Sequence, residues 1–228
     1  MCGRYMLKAT AKQLQERFGV EQLPFEFQSR YNIAPSQHNP VVVHDRDRHV
    51  ELMSWGLVPS WSKDPKVKYS TINARVEGIE TKPAYRKPLR SQRCLVPASG
   101  FYEWKVTGKA KSAAKTPYFI HLKETDIFAL AGLYDIWSAP DGKELKTYTI
   151  ITTDANEMMR PLHERMPVIL TKEAEAIWLD PAINEPAKLL PLLKPYTADL
   201  MEAYTVSTRV NSPAHDGPEL IEPWTGQS

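Results

Sequence analysis

The stretch PVVVHDRDRHVELMSWGL, residues 40–57, points most directly to the fold of this chain. Two runs rich in β-branched and apolar residues, 40–44 and 49–57, lie on either side of the polar residues DRDR at 45–48. Strand-like runs separated by a short polar segment are typical of a β-hairpin. The sequence therefore predicts two antiparallel strands that meet at a polar turn.

Strand signals continue on the C-terminal side of this hairpin. They lie at 93–96, 101–105, 118–122, 127–137, 147–153 and 168–170. Helices are expected at 10–18, 154–162 and 171–179, with two more near 186–194 and 197–203.

Capping residues support two of these helices. Thr10 is suited to begin the first helix and Gly19 to end it, and Asp154 with Glu157 fits a capping box. Strands and helices do not alternate regularly, which argues against a doubly wound parallel sheet. The pattern predicts an α+β fold: a single domain, residues 1–228, with a curved, largely antiparallel β-sheet or barrel-like core and short peripheral helices.

Composition excludes several classes of protein. The 228 residues are 42% hydrophobic and 25% charged, as in ordinary globular proteins. No apolar run approaches the roughly 20 residues that cross a bilayer, and the N-terminus lacks the apolar core of a signal peptide. Two cysteines make no disulfide framework, and no Cys/His cluster has zinc spacing. We expect a cytoplasmic protein with no metal, no cofactor and no membrane partner.

Charge is distributed unevenly along the chain. The net charge is only +2, but Lys and Arg dominate residues 58–115 and acids dominate the C-terminal half. No acid lies between Thr81 and Tyr102, a stretch that carries five cations: Lys82, Arg86, Lys87, Arg90 and Arg93. Such a stretch indicates a surface that binds a polyanion. The alternative is a solvated surface whose acids come from the C-terminal third.

Cys2 has a chemistry that no internal residue can match. A chain that begins Met-Cys-Gly is expected to lose Met1, which leaves an α-amine and a thiol on adjacent carbons. Their reference pKa values, about 8 and about 8.5, leave both partly reactive at neutral pH. Toward an aldehyde the amine forms a Schiff base, and the thiol then closes a stable thiazolidine ring in an intramolecular step. The alternative is a small buried hydrophobic residue.

Three further polar residues lie between apolar segments. Glu103 stands among the aromatic residues of FYEW at 101–104, which would raise a carboxyl pKa and suit it to proton transfer. His163 lies two residues before Arg165 at an expected turn, and Asn73 lies in INAR at 72–75. Alternatively, Glu103 forms a surface salt bridge, His163 caps a helix and Asn73 closes a turn.

Taken together, these segments resemble the SOS response-associated peptidase (SRAP) family of abasic-site processing proteins. The matching motifs follow one another in order through the chain: CGRY at 2–5, YNIAP at 31–35, WGL at 55–57 with Pro59, NAR at 73–75, FYEW at 101–104, AGLY at 131–134, HERMP at 163–167, VS at 206–207 and VN at 210–211. The ordered set, anchored at residue 2, makes the resemblance specific.

The resemblance implies an activity and a set of catalytic residues. Family members crosslink to abasic sites in single-stranded DNA through the N-terminal cysteine, with lyase-like Schiff-base chemistry. By residue match, Cys2 would be the nucleophile and Glu103 would shuttle protons. Asn73 would bind the terminal amine and the sugar, and His163 would assist ring opening and crosslink reversal.

The resemblance also implies how the DNA strand is held. Arg4, Arg75 and Arg165 would contact phosphates, which positions the strand without reading its sequence. Asn32, Pro35 and Trp61 would complete the DNA-binding set, with Pro35 and Trp61 stacking beside the missing base. The expected partner is single-stranded DNA that contains abasic sites, bound by a monomer located at the nucleoid if the source is a bacterium.

Two other functions stay open at this point. One is an N-terminal-cysteine peptidase that processes itself, as the family's older name suggests. The other is a non-catalytic single-strand binder, which would need the basic surface but not Cys2.

Overall fold

A computed structural model describes residues 2–63, 65–66, 69–108 and 114–226 of the protein. The described residues form thirteen strands in two sheets: β1 (Tyr5–Leu7), β2 (Arg30–Ile33), β3 (His38–His44), β4 (Arg48–Trp55), β5 (Asn73–Arg75), β6 (Arg93–Ala98), β7 (Gly100–Thr107), β8 (Ala114–Leu122), β9 (Phe128–Ser138), β10 (Glu144–Asp154), β11 (Arg165–Pro167), β12 (Ile169–Leu170) and β13 (Met201–Thr205). The helices are α1 (Ala11–Phe18), α2 (Arg86–Ser91), α3 (Lys172–Leu179) and α4 (Pro186–Leu189), with short 3₁₀ turns between elements.

The first sheet has five antiparallel strands in the order β13-β8-β7-β1-β2. Side chains alternate between its two faces, as in any strand. Tyr5 and Phe101 therefore point into the main core, whereas Met6 and Tyr102 point to the outer face. On that outer face they pack with Phe119, and the C-terminal residues Val206, Val210 and Leu220 cover them.

The second sheet closes into a barrel. Strands β4, β3, β6 and β9 follow one another, and β10 pairs with β4 on one side and with β9 on the other. Most pairs are antiparallel, but β4 and β5 run parallel to β10. The predicted hairpin is confirmed, since β3 and β4 pair from His38 opposite Ser54 to His44 opposite Arg48. The α+β class and the largely antiparallel, barrel-like core are also confirmed.

One hydrophobic cluster joins the two sheets. Tyr5 from the five-stranded sheet packs edge-on against Trp55 of the barrel at 5.2 Å between ring centroids. The hydroxyls of Tyr5 and Tyr148 share a buried hydrogen bond of 2.7 Å. Cys2 belongs to the same cluster. The expected extent of the domain, residues 1–228, stays a prediction.

The first helix is confirmed together with its caps. The Thr10 hydroxyl accepts the Gln13 N–H and the Gln13 side chain accepts the Thr10 N–H, which is the reciprocal bonding of a capping box. Gly19 ends the helix with a left-handed φ of 63°, which glycine adopts without strain. Thr171 caps α3 in a similar way, through the Ala174 N–H. None of the described helices is long and apolar enough to cross a membrane.

The helix predicted at 154–162 is wrong, since the segment forms turns. Asp154 is the last residue of β10 and binds Arg165, so it cannot cap a helix. The side-chain oxygen of Asn156, and not that of Asp154, accepts the Met159 N–H. Pro161 has no N–H with which to continue a helix.

Two further helices are shorter than predicted. At 197–203 a 3₁₀ turn, Ala198–Leu200, leads into β13, because the backbone from Met201 onward pairs with β8. At 186–194, α4 ends at Leu189 and a 3₁₀ turn follows at Leu190–Leu192.

Candidate active site

Cys2 lies just before β1 and is fully buried. Its Sγ is 3.8 Å from the Arg4 carbonyl oxygen. Burial raises the pKa of the Cys2 thiol to about 12, and the negative charge of Glu103 adds to the shift. The thiol is therefore protonated at neutral pH, and it needs a base when it reacts as a nucleophile.

Asn73 binds the backbone of Cys2 directly. It is the first residue of β5, which pairs with β10 so that Asn73 lies opposite Ile150. Its Nδ2 donates to the Cys2 carbonyl oxygen at 2.7 Å. Its Oδ1 is buried and has no hydrogen-bond partner among the described residues. Such an unpaired acceptor costs about 1–3 kcal/mol, so the site contains an oxygen that would gain from a new donor.

Glu103 lies on β7 with Phe101 on the same side of the strand, whereas Tyr102 faces the outer cluster. The residue is only 4% exposed, so its carboxylate is buried and not on the surface. Because its charge affects the Cys2 thiol, the carboxylate lies near the sulfur. The fold therefore brings Cys2, Asn73 and Glu103 together from three separate segments.

His163 is half-buried in the turn before β11. Its Nδ1 accepts the backbone N–H of Arg165 at 2.9 Å, so the neutral ring carries its hydrogen on Nε2. His163 caps no helix, since the segment before it forms turns. Strand β10 connects its segment to that of Asn73, since Thr152 pairs with Arg75 on one side and with Pro167 on the other.

Arg4 and Asn32 both hold the C-terminal segment. Arg4 Nη1 donates to Asn32 Oδ1 at 2.7 Å and to the Val210 carbonyl at 2.8 Å, and its guanidinium lies 5.8 Å from the Trp104 ring centroid. Asn32 is fully buried, and its Nδ2 donates to three carbonyl oxygens, those of Val210, Ser212 and His215. These contacts give both side chains a structural role, and their DNA contacts stay predictions.

The two remaining arginines of the expected set differ in exposure. Arg75 is exposed at the end of β5, opposite Thr152. The Arg165 side chain is 7% exposed and binds the carboxylates of Glu77 and Asp154. Glu77 could not be identified from the sequence as a partner of Arg165, since the two are 88 positions apart, and Asp154 was expected to cap a helix.

Pro35 and Trp61 lie in loops away from Cys2 in sequence. Pro35 is half-buried in the turn between β2 and β3 and precedes Ser36, which has a positive φ of 68°. Trp61 is 66% exposed. It lines a cavity of about 390 Å³ together with Arg86 and Lys87 of α2.

The basic stretch is only partly a surface. Lys82, Arg86, Lys87 and Arg90 are exposed on and before α2. Arg93 is instead buried, because its guanidinium donates to backbone carbonyls, among them those of Trp178 and Asp180. Burial lowers the pKa of Arg93. The expected polyanion surface therefore does not include Arg93.

Acidic and metal-ligating side chains are dispersed. Within the part of the chain that the structure describes, no three His, Cys, Asp or Glu side chains lie close enough together to hold a metal ion.

Comparisons with known proteins identify the family and the fold. The profile of the family described as "SOS response associated peptidase (SRAP)" matches residues 1–213. The chain is 48% identical over 225 residues to "Abasic site processing protein YoqW" of Bacillus subtilis (strain 168), which covers 97% of this chain and 99% of the relative. It is 35% identical over 267 residues to "Abasic site processing protein HMCES" of Gallus gallus, covering 98% of this chain and 78% of the relative. A crystal structure of a Bacteroides thetaiotaomicron protein superposes with a TM-score of 0.85 and 31% identity, over 98% of this chain and all of the other.

Proposed function

The chain belongs to the SOS response-associated peptidase family, and on that premise we propose that it captures abasic sites in single-stranded DNA as a thiazolidine on Cys2. The relatives named above are abasic site processing proteins, which supports the substrate class. The proposal requires that Met1 is removed. Met1 lies outside the described residues, and we propose its removal together with the crosslink.

The buried, unpaired Oδ1 of Asn73 is the observation that carries the proposal. The same amide already binds the Cys2 carbonyl oxygen through Nδ2. Removal of Met1 would convert the Cys2 nitrogen into an α-amine with several N–H donors. An acceptor beside it would hold the amine in place and repay the cost of the unpaired oxygen.

The reaction then proceeds in two bond-forming steps. The Cys2 amine attacks the aldehyde carbon of the opened sugar, and loss of water leaves an imine. The Cys2 sulfur next adds to the imine carbon, and the C=N electron pair returns to nitrogen, which takes up a proton. The thiol proton goes to Glu103, because a thiol with a pKa of about 12 supplies almost no thiolate by itself.

Ring opening of the sugar must come first, because an abasic deoxyribose is mostly a closed hemiacetal. Opening needs an acid and a base, and we assign the proton transfers to His163 and Glu103. The same pair would serve crosslink reversal.

Strand binding is assigned to the residues that the family resemblance names for it. Arg75 is exposed and suited to contact a phosphate, and Arg4, Asn32, Pro35 and Arg165 would lie along the strand as the resemblance implies. Stacking of a base on Trp61 would contribute about 1–3 kcal/mol, and Arg86 and Lys87 lie beside that ring. We propose a monomer that acts in the cytoplasm, at the nucleoid in a bacterium.

The decisive experiment changes only the N-terminus. A chain with an uncleavable N-terminal tag has an amide nitrogen at Cys2, which cannot form a Schiff base. We expect this chain to bind single-stranded DNA but to form no heat-stable adduct with an abasic strand on a denaturing gel. Cutting the tag so that Cys2 comes first should restore the adduct without any other change.

Controls separate the three candidate functions. Cys2→Ala and Cys2→Ser without a tag should bind the strand and form no stable adduct. Equal adduct yields before and after tag removal would refute the thiazolidine. Peptide cleavage without an adduct would support the peptidase, and reversible binding alone would support a non-catalytic binder.

A further inference from the structure

Trp55, the first residue of the WGL motif, has no role in the proposed reaction but contacts the segments of two residues that do. It ends β4, and its side chain is fully buried. Its indole Nε1 donates to the Ile72 carbonyl oxygen at 2.8 Å. Its ring also meets the Tyr5 ring edge-on, at 5.2 Å between centroids. Ile72 comes directly before Asn73 and Tyr5 is three residues after Cys2, so Trp55 connects the two segments.

The indole bond fixes the peptide group that joins Ile72 to Asn73. The Ile72 carbonyl oxygen also accepts the Ile150 N–H of β10 at 3.1 Å. A backbone carbonyl oxygen has two lone pairs, so both acceptor positions are filled. Because the peptide group is planar, a fixed carbonyl also orients the N–Cα bond of Asn73. The side chain of Asn73 in turn donates to the Cys2 carbonyl oxygen at 2.7 Å, so its orientation affects where Cys2 lies.

Tyr148 of β10 completes an aromatic cluster around this indole. Its ring lies nearly parallel to that of Trp55, with 9° between the planes and 6.4 Å between centroids. Its hydroxyl shares the buried hydrogen bond with the Tyr5 hydroxyl. The backbone is held at the same place, since the Gly56 N–H donates to the Tyr148 carbonyl oxygen at 2.8 Å. The indole is therefore held as a fixed spacer between β1 and β5.

We propose that Trp55 is a positioning residue, which sets where the Asn73 amide lies relative to the Cys2 backbone. It does so through the indole bond to Ile72 and the ring contact with Tyr5. The inference rests on the proposed function and deepens it, because capture of the aldehyde requires the amine of Cys2 beside Asn73. A displacement of about 1 Å at a reacting centre can lower a rate on the order of 100-fold.

Trp55→Phe is the informative variant, with Trp178→Phe as its matched control. Trp178 is equally buried, and its indole Nε1 likewise donates to a backbone carbonyl oxygen, that of Cys94, at 3.1 Å. Both substitutions therefore remove one buried indole and one hydrogen bond of the same kind. Trp178 lies on α3 and Cys94 on β6, and neither element carries a proposed catalytic residue. Loss of packing alone should affect the two variants alike.

Two quantities are measured for each variant, in chains without Met1 and well below the thermal midpoints. The first is the crosslinking rate at saturating concentrations of an abasic single strand. The second is the strand concentration that gives half of this rate. We expect Trp55→Phe to lower the saturating rate by about tenfold or more and to leave the half-saturating concentration almost unchanged. Trp178→Phe should lose similar thermal stability but keep both quantities close to those of wild type.

Three results would overturn the inference. The first is a wild-type crosslinking rate in Trp55→Phe. The second is an equal loss of rate in Trp178→Phe, since the burial of a tryptophan would then explain both. The third is a higher half-saturating concentration with an unchanged saturating rate, because Trp55 would then support strand binding and not the reaction.

A second substitution covers the case in which Trp55→Phe unfolds. Trp55 is replaced by its benzothiophene isostere, in which sulfur takes the place of the indole N–H, and Trp178 is replaced in the same way as the control. The isostere keeps the shape of the ring and removes only the donor to the Ile72 carbonyl oxygen. Crosslinking should slow with the isostere at position 55 and not at position 178. A wild-type rate with the isostere at position 55 would contradict the proposal.

The side-chain amide of Asn73 gives a readout that does not depend on crosslinking. In NMR spectra of a chain with isotope-labelled asparagine, its Nδ2–H signals report the bond to the Cys2 carbonyl oxygen. We expect Trp55→Phe to shift these signals and Trp178→Phe to leave them in place. If the wild-type chain forms no crosslink, the proposed function fails, and unshifted signals in Trp55→Phe would separately refute the positioning role.

Discussion

At the scale of single residues, Cys2 lies where its thiol would have an α-amine as neighbour, but the thiol itself is protonated at neutral pH. The terminal position would provide both amine and thiol, whereas burial and the charge of Glu103 raise the thiol pKa to about 12. A group whose pKa is raised on folding stabilises the native state at low pH. That contribution is lost as pH rises through the folded pKa. The native state therefore keeps the thiol protonated at neutral pH, and in the proposed reaction Glu103 would accept its proton.

The raised pKa of the Cys2 thiol predicts slow alkylation of Cys2 in the folded chain. At pH 8 the thiolate fraction at a pKa of about 12 is on the order of 1000-fold below that of an ordinary thiol of pKa about 8.5. Iodoacetamide should therefore label Cys2 slowly, as measured by mass spectrometry of the Cys2 peptide. Cys94 is the internal control, since burial raises its pKa as well. Both should react fast in denaturant, and rapid labelling of native Cys2 would contradict the prediction.

At the scale of elements, the contact between the segments of β5 and β11 should depend on pH. The pKa of Glu77 is lowered from its ordinary value of 4.5, first of all by hydrogen bonds from Arg165. A carboxylate with a lowered pKa stabilises the native state above the unfolded pKa, and this contribution is lost as pH falls through the folded pKa.

The expected result is a stability difference between wild type and Glu77→Gln that vanishes in acid. At pH 7 we expect about 1 kcal/mol, a discounted figure because the Glu77 side chain is half exposed. Below pH 4.5 the difference should shrink toward zero in urea unfolding curves. Glu80→Gln should change little at either pH, and a difference that persists at low pH would mean that packing, not charge, is lost.

The helices and strands also show which structural features the local sequence predicts correctly and which it does not. The cap at Thr10, the helix end at Gly19 and the polar turn of the β3–β4 hairpin were predicted, because their bonding partners lie within a few residues. The helix expected at 154–162 does not form, since Asp154 binds Arg165 eleven residues away. Likewise the backbone after Met201 becomes a strand because β8 offers it an edge. In both cases a tertiary partner outweighed local propensity.

At the scale of the whole molecule, the C-terminal segment, residues 206–224, packs on the outer face of the five-stranded sheet and is held there by hydrogen bonds. Asn32 donates to the carbonyls of Val210, Ser212 and His215. Asp216 accepts the N–H groups of Tyr31 and Asn32 and pairs with Arg30. The segment thereby covers the outer hydrophobic cluster.

Asn32→Ala should therefore loosen this segment. The change removes the amide that donates to the Ser212 and His215 carbonyl oxygens, whereas the Val210 carbonyl keeps its bond from Arg4, so we expect a loss of about 0.5–1.5 kcal/mol for each hydrogen bond removed. We expect a lower thermal midpoint and faster proteolysis near residues 206–224. Asn184→Ala, at an exposed asparagine, should change neither. Weaker DNA binding with unchanged midpoint and proteolysis would instead make Asn32 a direct DNA contact.

The sequence by itself determined the family, the hairpin and the caps of the first helix, because motifs and short-range bonds depend on neighbouring residues. It also identified Cys2, Asn73, Glu103 and His163 as candidates, although only as residue types in matching motifs. The tertiary structure decided that Asn73 binds the Cys2 carbonyl in the core and that Glu103 is buried within electrostatic range of the Cys2 thiol. It alone distinguished the exposed Arg75 from the buried Arg93 and Arg165, because exposure depends on contacts between segments as much as 88 residues apart.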